Sequence, residues 1–150
     1  MVAHSMRLFV LVVALSFNLA CGETSEPDLD CPVSPRAVAL SPTLQAEVFD
    51  AACKSCHNAA DPSSGDFSNA DRTRLATVDK TSQFAVGGTL KIVDPGNLKN
   101  SILWLKVLGG DATGRKGPAG EKTYGAMPLG AGLTAAQKSS LKNWICSGAQ

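Results

Sequence analysis

Apolar residues recur at helical spacing in three places along the chain. In the first, TLQAEVFDAACKSCH, Leu44, Val48 and the Ala51/Ala52 pair fall on one side, Phe49 lies beside that stripe, and Thr43 stands where a cap is needed. In the second, LKNSILWLKVLGG, Leu98, Ile102, Leu105 and Leu108 repeat every three to four residues, and Gly109-Gly110 closes the pattern. The third, LTAAQKSSLKNWICSGA, has Thr134 and Gln137 in capping-box register. Its apolar face is Leu141, Trp144 and Ile145, and Gly148 ends it.

Between these stretches the pattern is polar. NAADPSSGDFSNADRTRLATVD predicts a loop with at most one helical turn around Asp71–Ala76. Lys91–Val93 reads as extended, with a turn at Pro95-Gly96. GGDATGRKGPAGEKTYGAMPLGAG is glycine-rich and bears only a superficial likeness to a phosphate loop. Arg115 stands where that loop needs lysine, no Ser or Thr follows to hold magnesium, and no strand leads in. With three helices and no credible set of strands, the chain is predicted to be all-α.

The N-terminus has a different character. Arg7 precedes an apolar run from Leu8 to Ala20, then Cys21. This is the layout of a secretory signal peptide over residues 1–20, and the run is short for a transmembrane span. NLAC before Gly22 resembles a bacterial lipoprotein processing site, with Cys21 as the lipidated residue, although Asn18 stands where an aliphatic residue is usual. Ordinary cleavage or an uncleaved anchor would export the chain equally. Residues 21–42, with four prolines and an acidic cluster, read as a tether of roughly 25 Å mean span. Residues 43–150 form the domain. Composition agrees with a small core and long loops: 5% aromatic residues and 14 glycines.

Removing the leader takes Arg7 with it and leaves the 13 Asp+Glu matched by as many Lys and Arg. That balance excludes general nucleic-acid binding. Glu23, Glu26, Asp28 and Asp30 make the tether acidic and the chain from Cys31 onward mildly basic.

The candidate chemistry lies in CKSCHN. Three chemistries use C-x-x-C. A redox dithiol needs a βαβ context and a helix N-terminus, and here the cysteines follow a helix with no strands around it. Zinc needs four ligands, and no second C-x-x-C or His pair completes the set. The third is covalent haem c: Cys53 and Cys56 form thioethers and His57 binds the iron, because one turn of backbone presents both sulfurs and the imidazole to one face of a flat ring. Export supplies the compartment this attachment uses. The chain has two histidines, and His4 lies in the leader, so bis-histidine ligation within the exported chain is excluded. Met1 and Met6 are also in the leader, which leaves Met127 as the sixth-ligand candidate. A lone methionine is usually core filler, but Met-Pro in a glycine-rich loop is a poor core position. Cys31 and Cys146 are left over, and in an exported protein they read as a disulfide tying the domain's start to its last helix.

The stretches VFDAACKSCHN, VDPGNLKNSILWLKVLG and GAMPLGAGLTAAQKSSLKNWICSGA, covering most of Thr43 to Ala149, resemble the class I c-type cytochromes. They are closer to the cytochrome-c-like domains of exported planctomycete and myxobacterial proteins. The resemblance implies a small helical fold whose first and last helices cross beside one haem, with Phe49 and Trp144 at the crossing. Cys31, Cys146 and NLAC fall outside the family core. The function expected is single-electron transfer between redox protein partners, docking near Lys54 and the Met127 loop, without catalysis. A haem enzyme or a gas or redox sensor with an open sixth site is the alternative, followed by a haem-free zinc- or disulfide-stabilised lipoprotein.

Overall fold

Ser41 and Pro42 start the first helix. The Ser41 hydroxyl accepts from the Leu44 N–H at 3.0 Å, and proline at the first helical position gives up an N–H that would have no partner there. Ser41, rather than Thr43, is therefore the cap. In the computed structural model, which describes residues 29–32, 37–60, 65–82, 90–109 and 125–150, this helix (α1) is α-helical over Pro42–Leu44 and π-helical over Gln45–Asp50. The wide turn continues into the next segment, where Lys54 N–H reaches Phe49 O at 2.8 Å, five residues back. An extra residue in a turn rotates the succeeding residues by about 100° relative to a regular helix. Accordingly, Phe49 is wholly buried at the centre of the face and Ala51 is exposed, whereas the simple periodicity placed them the other way round.

Helix α2 (Ala70–Thr77) is longer than the single turn predicted. Its sequence is polar, so periodicity cannot reveal it. Asn69 caps it by accepting from Arg72 N–H at 3.0 Å, and its buried side is made of Thr73 and Thr77, both at 0% exposure. The Thr77 hydroxyl is satisfied by the Thr73 carbonyl at 2.8 Å.

The stretch predicted as one helix after Pro95-Gly96 is broken. A 3₁₀ turn (Leu98–Asn100) gives way to extended backbone at Ser101, and α3 runs Ile102–Val107. The Ser101 hydroxyl donates to Asn97 O at 2.7 Å and accepts from Asp94 N–H at 2.9 Å. Such local bonds compete with helix continuation. Leu98, Ile102 and Leu105 are buried as expected, and Leu103, Trp104 and Val107 join them. Gly109, at φ 118°, ends the element in a conformation that favours glycine.

Helix α4 (Ala135–Cys146) matches its prediction, including the capping box between Thr134 and Gln137 and burial of Leu141, Trp144 and Ile145. Its crossing with α1 is built by Phe49 and Trp144, edge to face at 6.1 Å, and by Gln137 Nε2, which donates to Glu47 O at 2.6 Å. The Pro95-Gly96 turn is fastened to α4 through Gly96 N–H and Ile145 O at 2.7 Å. Strand-like pairing among the described residues is limited to isolated bridges at Val78–Val93, Thr81–Lys91 and Lys91–Ser101, so the regular structure is helical, as expected.

Cys31 and Cys146 form a disulfide, with Cα atoms 5.1 Å apart. Leu29 packs on the core, Asp30 pairs with Lys99 at 2.7 Å, and Leu40 and Val38 exchange backbone hydrogen bonds with Gln150, each at 2.8 Å. Residues 29–32 and 37–42, read from the sequence as part of the tether, thus lie on the domain. The leader, Cys21, the acidic residues before Leu29 and the Arg115 region lie outside the described residues. No helix among the described residues is long and apolar enough to cross a membrane.

Candidate cofactor site

The segment from Cys53 to His57 leaves α1 as one tight turn. His57 N–H donates to Cys53 O at 2.9 Å and Cys56 N–H to the same carbonyl at 3.1 Å. Asn58 closes the turn by donating from Nδ2 to Lys54 O and Ser55 O, at 3.2 and 3.3 Å. The chain then returns, and Phe67 N–H donates to His57 O at 2.9 Å. All three motif side chains line a cavity of about 760 Å³, within the roughly 300–1,000 Å³ usual for small-molecule and cofactor sites.

Met127 lines the same cavity, although 70 residues separate it from His57. Its N–H donates to Lys106 O at 3.0 Å, which fastens the loop before α4 to the end of α3. The walls between the two segments are apolar, from Phe67, Ile102, Leu103 and Val107. Among the described residues, the cations Arg72, Lys80 and Lys106 and one carboxylate, Asp66, line the cavity. Burial pushes the Lys106 amine below the usual lysine range, and the Ser68 side chain and N–H hold the Asp66 carboxyl below its usual value. Leu75 and Leu129 stand at the mouth, 53% and 79% exposed.

These residues suit haem c. A flat apolar macrocycle with two carboxylate tails needs a large apolar slot, two sulfurs and an imidazole on one segment, and cations for the tails. The chain supplies each. Reading the sequence picked out Cys53, Cys56, His57 and Met127 and missed the cations and the walls, which come from four separate segments. Lys54, the predicted docking residue, lies outside the cavity lining and pairs with Asp50 at 3.7 Å on the surface. A second, more open cavity of about 580 Å³ lies between Leu40, Arg74 and Ala149 and contains none of the predicted site residues. The buried indole N–H groups of Trp104 and Trp144 have no hydrogen-bond acceptor among the described residues. Neither lines the large cavity, so neither bears on its occupant.

The two thiols differ. Cys56 is exposed, whereas Cys53 is half-buried and burial pushes its pKa up to about 11. A thiol held protonated is a poor nucleophile and a poor zinc ligand, since both roles need thiolate. In protein made without haem attachment, iodoacetamide at pH 8 will therefore alkylate Cys56 first. Cys53 will carry about 100-fold less thiolate than an ordinary thiol, and its rate will climb as pH rises toward 11. Peptide mass mapping under non-reducing conditions reads both rates, and equal labelling at pH 8 contradicts the expectation.

Comparison with protein-family models, with curated proteins and with solved structures found no match.

Proposed function

We propose that this chain is an exported monohaem c-type cytochrome that passes single electrons between redox proteins, held near a membrane by a lipid on Cys21. The observation that carries the reading is the shared cavity: the C-x-x-C-H turn and Met127 meet there from distant parts of the chain. Bound haem would supply an iron that cycles between ferrous and ferric states. Cys53 and Cys56 would hold it covalently, and His57 through its imidazole and Met127 through its thioether would bind the iron. The soft sulfur favours ferrous iron and raises the potential relative to a second imidazole. The walls of Ile102, Leu103 and Val107 disfavour extra charge and act in the same direction. With His57 and Met127 both binding the iron, substrate would have no site on the metal, which favours a carrier over an enzyme. The exposed Leu75 and Leu129 give a partner an apolar contact beside the cavity mouth, suited to a small transient interface.

The test is expression with a haem-maturation system, followed by haem staining of a denaturing gel. Stain at the protein's mass is expected, and its absence defeats the haem reading. Wild type and Met127→Ala are then compared by absorption spectroscopy and redox titration. Loss of the sulfur-ligand signature and a lower potential are expected in the variant. An unchanged spectrum removes Met127 as ligand and moves the reading to an open-site haem enzyme or sensor. Mass spectrometry of the mature N-terminus decides the lipid.

A further inference from the structure

The His57 imidazole is packed by groups that electron transfer itself does not require. It lies flat against Phe67, with ring centroids 4.8 Å apart and planes 14° from parallel. Phe67 is itself fixed on several sides. Its ring meets Phe49 edge-on at 5.6 Å, its N–H donates to His57 O at 2.9 Å, and its carbonyl accepts from Gln45 Nε2 at 3.0 Å. Gly65 also makes room for that ring: it sits at φ +91°, and a Cβ there would come within 3.2 Å of Phe67 Cε1.

Gln45 is the unexpected member. It is 6% exposed, in the π-helical turn of α1, among the buried apolar residues of that face. A buried amide is tolerated only if its groups are satisfied, and here both ends are used. Nε2 donates to Phe67 O and to Asp50 Oδ1, at 3.0 and 2.8 Å, and Oε1 accepts from the buried Thr73 hydroxyl at 2.9 Å. An amide that ties α1, α2 and the Phe67 loop together, one ring away from the candidate iron ligand, has the character of an outer-shell residue. Such residues orient metal ligands and tune the metal, and π-turns occur frequently at functional sites.

We infer that Gln45 is a positioning residue: by holding Phe67 in place it sets the rotational orientation of the His57 imidazole about its bond to the haem iron. This rests on the haem reading above. Turning the imidazole about that bond would break its flat contact with Phe67, whose backbone is tied by Gln45 and whose ring is packed against Phe49. Imidazole orientation decides how unpaired spin spreads over the ring of ferric haem. The haem methyl proton resonances report that distribution directly.

The experiment compares the full haem-loaded protein with Gln45→Leu and Phe67→Leu by proton NMR of the ferric form. Covalent haem content is checked by gel and folding by circular dichroism. Both variants are expected to change the order and spacing of the haem methyl resonances while the two thioether bonds remain. Thr73→Val, which removes one bond to Gln45 at similar volume, should give a smaller change in the same direction. A folded, haem-loaded Gln45→Leu with the wild-type resonance pattern overturns the inference and leaves the electron-carrier reading intact. Wild type that carries no covalent haem overturns both, and the gel shows this before any NMR is recorded. If Gln45→Leu does not fold, Phe67→Leu decides: an unchanged pattern there refutes the Phe67 link on which Gln45 depends.

Discussion

Replacing Cys31 with serine and Cys146 with alanine lowers the unfolding free energy by about 2–5 kcal/mol. The bond joins residues 115 apart, and for a loop of that size the chain-entropy model gives about 4–5 kcal/mol. The loss should appear in urea denaturation as a lower midpoint. It should also appear as a steeper dependence on denaturant, since an uncrosslinked unfolded chain exposes more surface. A second effect comes from position. Cys146 is 2% exposed at the end of α4, and Cys31 anchors a strip that includes Leu29 and Asp30. Without the bond, cleavage after Arg36 by trypsin should release the chain's N-terminal portion, which otherwise stays attached to the domain. A midpoint within error of wild type would show that the strip and Gln150 hold the termini without the disulfide.

Phe49→Ala should cost about 3–5 kcal/mol, the usual range for deleting a buried aromatic side chain. Phe49 is 0% exposed and meets two aromatic rings edge-on, Phe67 at 5.6 Å and Trp144 at 6.1 Å. Its removal leaves a void between α1, α4 and the Phe67 loop that rigid neighbours cannot fill. For a domain of this size the midpoint of thermal unfolding should fall by at least about 10 °C. A loss below about 1 kcal/mol would mean that α1 and α4 close over the gap, and the crossing would then not depend on this ring. The contacts with Trp144 and Phe67 should also make Phe49→Ala non-additive with substitutions at either partner.

The site was legible where its parts are local. Cys53, Cys56 and His57 lie within one turn, so the motif is visible from spacing, and the structure places all three on one cavity. Met127 became a candidate by counting the methionines left after the leader, and the structure places it on the same cavity. Cys31 and Cys146 were paired by elimination and are bonded in the structure. Helix α4 is legible because its cap, apolar face and terminating glycine all agree. Where local signals conflict or are silent, tertiary contacts decide. Ser101 sits inside an apolar helical pattern, yet its hydroxyl bonds to Asn97 and Asp94 and interrupts the helix. Helix α2 has no apolar stripe, and only the burial of Thr73 and Thr77 against the rest of the domain explains its length.

What the sequence determined by itself is therefore the helical class, the ends of α4, the C-x-x-C-H motif and the cysteine pairing. Each rests on residue types at short spacing or on counts over the whole chain. Tertiary structure alone decided the cationic lining of the cavity, the π-turn of α1 and the Gln45–Thr73–Phe67 network behind His57. Gln45 is 22 residues from Phe67 and 28 from Thr73. Partners that far apart are chosen by which elements pack together, and a buried glutamine reveals its purpose only once those partners surround it.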